Sequence, residues 1–234
     1  MPRARALLSA LALGSTLLLG LAPLAGCGGG KSESAGDLPA GDGLVKAAAT
    51  EMRSIKTARF VITTDGTVDR LGLSGADAVV TSEGDAKGTA TLDESGSATE
   101  LTFVVVGDTL HLKGLTGDWQ RVPLALAASV YDPSKILDPD RGLANVLGTA
   151  TNAKTEGTET IDGTRTYRVT ATLDAAALAT IVPGVDENVT GTLWIGADRR
   201  LLHRASFRVP GDGGGGTATV TLSEFDAPVT ISAP

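Results

Sequence analysis

The sequence predicts an α+β protein, one large antiparallel sheet with helices gathered on one side. Three observations lead there. Ten segments alternate apolar and polar residues with period two, the links between most of them are short turns, and helical spacing is confined to the front of the chain and two stretches in its middle and later half. At 234 residues the chain is expected to hold a single domain.

The first segment reads as an address. Arg3 and Arg5 precede an apolar run from Ala6 to Ala22, broken at Pro23 and followed by Leu24-Ala25-Gly26-Cys27. A basic start, an apolar core and small residues before a cysteine form a secretory leader ending in a lipobox-like tetrapeptide. A membrane-spanning helix would need about 20 apolar residues, whereas Gly14, Ser15, Thr16 and Gly20 interrupt this run. The expectation is cleavage after residue 26 and diacylglycerol on the Cys27 thiol, with two or three acyl chains enough for stable anchoring. Residues 27–42, rich in Gly, Ser, Ala and Asp, read as a tether. The domain is then 43–234.

Asp42 is placed to cap a helix, and Leu44, Ala48, Met52 and Ile55 share one face of it, predicting a helix over 43–57. Strands follow at 58–68, 76–82, 86–93, 99–106 and 109–113, then at 151–161, 164–173, 188–196, 201–209 and 217–225. Turns are explicit at Gly107-Asp108, Asp162-Gly163, Gly196-Ala-Asp198 and the glycine run 211–216. Between the strand groups, Leu-Ala-Leu-Ala-Ala after Pro123, Asp132-Pro133, and Asp140 before Arg141-Gly-Leu-Ala-Asn-Val-Leu predict two or three short helices over 123–148. Asp174 to Ile181 reads as one more, ended by Pro183.

Parity separates an oily face from a wet one. Tyr167, Val169, Ala171 and Leu173 alternate with Thr166, Arg168, Thr170 and Thr172, and Leu201, His203, Ala205, Phe207 and Val209 with Leu202, Arg204, Ser206 and Arg208. A sheet with one solvated face accounts for the 29 threonines without invoking function. Strand 86–93 groups Ala86, Gly88, Ala90 and Leu92 on the oily side. Small side chains there, with 8 aromatics in the chain, read two ways: an interior left partly unfilled, or a GC-rich genome's codon bias.

Composition excludes several classes. A net charge of −7 offers no footprint for the phosphates of nucleic acid. One cysteine excludes an intramolecular disulfide and a cysteine zinc site, and two histidines leave little for a histidine metal or catalytic centre. There is no Gly-x-Ser-x-Gly elbow, HExxH or P-loop, so neither an enzyme nor a cofactor is expected. His203 shares its face with Phe207 and reads as a satisfied buried histidine, and His111, on the Thr109/Lys113 face, as exposed. Asp138 and Asp140 hint at calcium, but a dedicated site needs about six oxygens, and helix capping is the expectation. Asn188-Val-Thr190 matches a glycosylation triplet inside a strand and carries no weight.

The stretch Tyr131-Asp-Pro-Ser-Lys-Ile-Leu-Asp-Pro-Asp-Arg-Gly-Leu-Ala-Asn-Val-Leu147 resembles the helical insert of the LppX/LprAFG family of mycobacterial and related actinobacterial lipoproteins. Phe103-Val-Val-Val-Gly-Asp108, Glu156 through Ile161-Asp-Gly163 to Leu173, and the Cys27 lipobox fall in the family's order, so the resemblance runs from about Leu38 onward. It implies a strongly curved antiparallel half-barrel, similar to LolA and LolB, with helices on the concave side and an apolar cavity between sheet and helices. It further implies a monomeric carrier, anchored by Cys27 to the extracytoplasmic side of the cell membrane. The cargo would be triacylated glycolipids, lipoglycans or triacylglycerides moved toward the outer envelope, and the partner a major facilitator efflux transporter. The ligand-binding residues expected on this basis are Phe60, Ile62, Ala86, Gly88, Ala90, Leu92, Leu101, Phe103 and Val105, with no catalytic or metal site. The alternative is a sensor of the same fold that retains lipid or binds a protein and delivers nothing. The glycine run at 211–216 and the segment 71–84 depart from the family's pattern.

Overall fold

The computed structural model describes residues 38–66, 73–94, 97–114, 117–127, 132–182, 185–209 and 215–234. The leader, Cys27, the tether through residue 37, Pro183 and the glycine run at 211–214 lie outside them.

One helix opens the fold, α1 (Gly41–Met52). It begins two residues before the expected start and ends five before the expected end, because Ser54 and Ile55 close tight turns onto Glu51 and Met52. The expected face is the one buried: Leu44, Ala48, Met52 and Ile55 are each 3% exposed or less. Asp42 does not cap it. The N-cap is Ala40, and the Asp42 carboxylate instead accepts the Ala153 N–H at 3.2 Å, tying the helix to a neighbouring strand.

Eleven strands follow: β1 (Thr57–Gly66), β2 (Leu73–Thr81), β3 (Ala86–Glu94), β4 (Ser97–Val106), β5 (Thr109–Lys113), β6 (Trp119–Pro123), β7 (Thr151–Ile161), β8 (Thr164–Leu173), β9 (Val189–Gly196), β10 (Leu202–Val209) and β11 (Gly216–Ser223). Sequence reasoning found ten of them and missed β6. Its Trp-Gln-Arg-Val-Pro has no sustained alternation and only Val122 turns inward, as suits a short edge strand ended by a proline. The strands form one antiparallel sheet in the order β6-β5-β4-β3-β2-β1-β11-β10-β9-β8-β7. Only the β1–β11 pairing joins distant parts of the chain. The sheet is open and curved, the half-barrel expected from the sequence.

The remaining helices are short: α2 (Leu124–Ala127), α3 (Leu143–Thr149) and α4 (Ala175–Leu178), with a 3-10 turn at Pro133–Lys135. Asp132 caps that turn as expected, accepting from Ser134 N at 3.1 Å with Pro133 next in line, and Asp174 caps α4 through Ala177 N at 2.9 Å. Asp138 and Asp140 do not cap α3, whose N-cap is Gly142. Asp138 folds the preceding turn, accepting from Asp140 N and Arg141 N at 2.9 and 3.0 Å and pairing with the Arg141 guanidinium, which holds its carboxyl below the usual carboxylate range against the opposing effect of burial. Asn188 is likewise engaged, accepting from Ala175 N at 2.9 Å.

Helices α1 and α3 pack on each other and over β7, β8 and β9, so one half of the concave face becomes core: Leu147, Leu173, Leu193 and Ile195 are 2% exposed or less. Two histidine expectations are corrected. A β-bulge between Leu202 and Arg204 puts Leu202 on the buried face and takes His203 off it, half-buried, with Phe225 edge-on at 5.4 Å. His111 is buried, at 4% exposed, although it lies on the wet face. That face is not bare here: the C-terminal segment runs across it, its Ala227 and Thr230 carbonyls accepting from Thr57 Oγ1 at 2.7 Å and Lys87 Nζ at 3.0 Å, and Lys87 lies two cross-strand steps from His111.

Candidate functional site

Among the described residues, α1 and α3 pack over β7–β9, and the concave face of β2–β6 is the less covered part of the sheet. Cross-strand pairing builds it in rows. The row nearest the closed end runs Ala58–Val80–Ala86–Val105–Leu110–Val122 and is packed: Ala58, Val80, Ala86 and Val105 are all fully buried. The next runs Leu222–Phe60–Ala78–Gly88–Phe103–Leu112. A third runs Val220–Ile62–Ala76–Ala90–Leu101. Above it Leu73 pairs with Leu92.

Gly88 sits at a close approach of two strands. A methyl group built on it would stand 2.3 Å from the Ala78 side chain and 2.2 Å from the Asp77 carbonyl, so β2 and β3 approach there as only glycine allows. With Ala78 beside it, the row between Phe60 and Phe103 is made of the smallest side chains.

On this face lies a half-open apolar cavity of about 310 Å³. Its floor is Ala76 and Ala90, its walls are Leu73, Leu92, Leu101, Phe103, Leu110, Leu112 and Val122, and Pro133 overhangs it. A smaller cavity of about 40 Å³ adjoins it toward the middle of the sheet, bordered by Ile62, Phe207, Ala218 and Val220 below and by Ile136, Leu143, Ile181 and Val182 above. Of the residues expected to bind ligand, Ala90, Leu92, Leu101 and Phe103 line the large cavity and Ile62 the small one. Phe60, Ala86, Gly88 and Val105 point to the same face but border neither. They lie toward the strand ends closed off by the 3-10 turn, where Ser134 sits against the β2–β3 turn at Gly84.

Sequence reasoning missed Leu73, Ala76, Leu110, Leu112, Val122 and Pro133 as lining residues. Parity could have found Ala76, Leu110 and Leu112, which alternate with polar neighbours inside strands that were already expected. Leu73 was hidden by a bulge: it pairs with Leu92 while Gly75 pairs with Thr91, leaving Ser74 as the extra residue.

The cavity holds no acid–base machinery. Its walls are almost wholly carbon, so it can exclude water and hold hydrocarbon but cannot orient a polar ligand. Among the described residues no cluster of three His, Cys, Asp or Glu could hold a metal. The ionic contacts lie elsewhere. On the convex face Arg59 grips Asp77 with two bonds of 2.8 and 2.6 Å, and this hydrogen-bonded guanidinium lowers the Asp77 pKa while raising that of Arg59. His203, beyond the cavity, has its pKa lowered by burial, against the opposing pull of Asp162.

Three comparisons place this geometry among known proteins. The LppX_LprAFG lipoprotein family profile matches residues 40–231. The lipoarabinomannan carrier protein LprG of Mycobacterium tuberculosis is 32% identical over 234 residues, covering 98% of this chain and 94% of its own. The crystal structure of LprF from Mycobacterium bovis superposes with a TM-score of 0.74 at 30% identity, over 83% of this chain and 96% of that one. For LppX from Mycobacterium tuberculosis the TM-score is 0.62 at 27% identity, over 82% and 97%.

Proposed function

The chain belongs to the LppX_LprAFG lipoprotein family, and from that premise we propose that it is a lipid carrier of the cell envelope, anchored through Cys27 on the extracytoplasmic side of the membrane. The observation that carries this reading is the carbon-walled cavity of about 310 Å³ in the less covered half of the sheet. Burying hydrocarbon is the one thing such a site does well. Each methylene moved from water into it is worth about 0.8 kcal/mol, and with no polar group to satisfy inside, the polar end of the ligand stays in water.

LprG is named as a lipoarabinomannan carrier; for this chain the inferred cargo is an acylated lipid, a triacylated glycolipid or lipoglycan or a triacylglyceride, with tails inside and sugar or glycerol outside. Movement is toward the outer envelope, the carrier acts as a monomer, and a major facilitator efflux transporter supplies or receives the lipid.

The test is to express the full chain in a related actinobacterium and identify what co-purifies by mass spectrometry. Acylated glycolipid or triacylglyceride that moves on to acceptor vesicles is the expected result. Bound lipid that never leaves would make the protein a sensor, and an empty cavity would end the reading. The anchor is tested separately. Cys27→Ser should abolish labelling with a palmitate analogue, and continued labelling would contradict the assignment.

A further inference from the structure

The two cavities adjoin, and what lies between them is narrow. Leu73 is the one residue that borders both. It is 6% exposed, and the bulge at Ser74 aims it into the concave face beside Leu92. Beneath it the floor is continuous: Val220 and Ile62 under the small cavity pair across the strands with Ala76 and Ala90 under the large one. The same 3-10 turn overhangs both, Pro133 above the large cavity and Ile136 above the small one, held together by the Ile136 N–H donating to the Pro133 carbonyl at 3.2 Å. The geometry is therefore one trough with a constriction. Its small floor residue, Ala76, leaves a path, and the Leu73 side chain stands in it.

We propose that Leu73 sets the acyl-chain length this protein accepts, by stopping the chain end at the boundary between the two cavities. The inference rests on the carrier reading above and deepens it. A chain entering from the less covered β4–β6 side lies over Ala90 and Ala76 and meets Leu73. The space of about 40 Å³ beyond it is room that a longer chain would use if the leucine were smaller. The cavity has no polar group to fix a ligand's register, so length discrimination falls to the residue that blocks the end. A methylene that finds room gains about fourfold in affinity, and one forced to remain in water gains nothing.

The experiment uses the full chain anchored in vesicles that carry an equimolar series of saturated diacylglycerols from dodecanoyl to eicosanoyl, with the captured lipid read by mass spectrometry. Leu73→Ala should raise the ratio of longest to shortest lipid captured by about fifteenfold, the gain from two additional buried methylenes. Leu73→Phe should lower that ratio. Val182→Phe, which fills the small cavity from its far side, should leave the parent profile alone but cancel the gain when combined with Leu73→Ala. If Leu73→Ala does not fold, Leu73→Val carries the same sign at a smaller size. An unchanged length profile in a folded, lipid-loaded Leu73→Ala or Leu73→Val would overturn the proposal and leave the carrier reading standing. A parent protein that captures no diacylglycerol would instead overturn the carrier reading itself.

Discussion

One row of cross-strand partners runs from Val169 on β8 through Leu193, Ala205, Val220, Ile62, Ala76 and Ala90 to Leu101 on β4. All eight face the concave side, yet the two ends differ in exposure: Val169 is 0%, Leu193 2% and Ala205 6% exposed, Val220 and Ile62 beside the small cavity are half-buried, Ala76 is 8% exposed, and Ala90 and Leu101 are half-buried again. The two ends are alike in parity and chemistry. They differ in what lies above them: over β7–β9 helices α1 and α3 supply Val45, Ala48, Val146 and Leu147, while over β2–β6, among the described residues, Pro133 is the one residue outside the strands that borders the large cavity. Apolar side chains on a sheet record that something nonpolar must cover them, and do not record whether that cover is protein or ligand. In one half the chain provides it; in the other, we propose, the cargo does.

Truncating one leucine in each half breaks or sharpens this contrast most strongly. Leu147, 1% exposed in α3, sits in filled core, so Leu147→Ala should cost about 2–5 kcal/mol of unfolding free energy through lost burial and a cavity. Leu101, half-buried on the trough wall, has little protein against it, and Leu101→Ala should cost less than about 1 kcal/mol. Denaturant titration of both variants measures the difference. Equal losses would mean that the β4 side is core like the other.

A smaller effect separates the trough from the titrating groups around it. The His203 pKa is depressed in the fold, so the unfolded chain takes up the proton first: the stability due to its neutral form is complete above pH 6.5 and declines as pH falls below that value. Asp77, depressed by the Arg59 bonds, contributes above the ordinary value of 3.8 and loses that contribution as pH falls below it. His203 is half-buried and Asp77 partly exposed, so solvent screening should hold each step to about 1 kcal/mol or less. Lipid capture between pH 5 and 8 should stay flat, because neither group borders the cavity. His203→Gln should remove the upper step, read by thermal melting against pH. A capture curve that follows either step would show a polar contribution to binding.

How much of this was legible in the sequence follows from the same contrast. Parity exposed the inward faces of β3 and β8, because alternation is local and survives without knowledge of the partner strand. The helical insert was legible in Asp132-Pro133. What could not be read was set by distant contacts. Phe60, Ala86 and Val105 have the parity of Ala90 and Leu101, but the 3-10 turn closes their end of the strands, and only the folded chain brings that turn against Gly84. Gly88, expected among the lining residues, stands at a close approach of β2 and β3 and borders neither cavity. Leu73 and His203 were misplaced or missed for one reason: each lies at a bulge, where a single extra residue inverts the count.

The central claim is that the space over Ala90 belongs to the ligand. It is tested most directly by one paired measurement, lipid transfer and thermal midpoint, on Ala90→Trp beside Ala205→Trp and Thr89→Trp. Ala90 and Ala205 share the concave row, and Thr89 is Ala90's outward neighbour. Ala90→Trp should keep its midpoint and lose lipid binding by about three decades, the equivalent of six excluded methylenes at about 0.8 kcal/mol each. Ala205→Trp should overpack filled core and lose about 1–3 kcal/mol of stability, and Thr89→Trp should change neither reading. If Ala90→Trp melts as early as Ala205→Trp, or transfers lipid as well as Thr89→Trp, the trough is not the binding site.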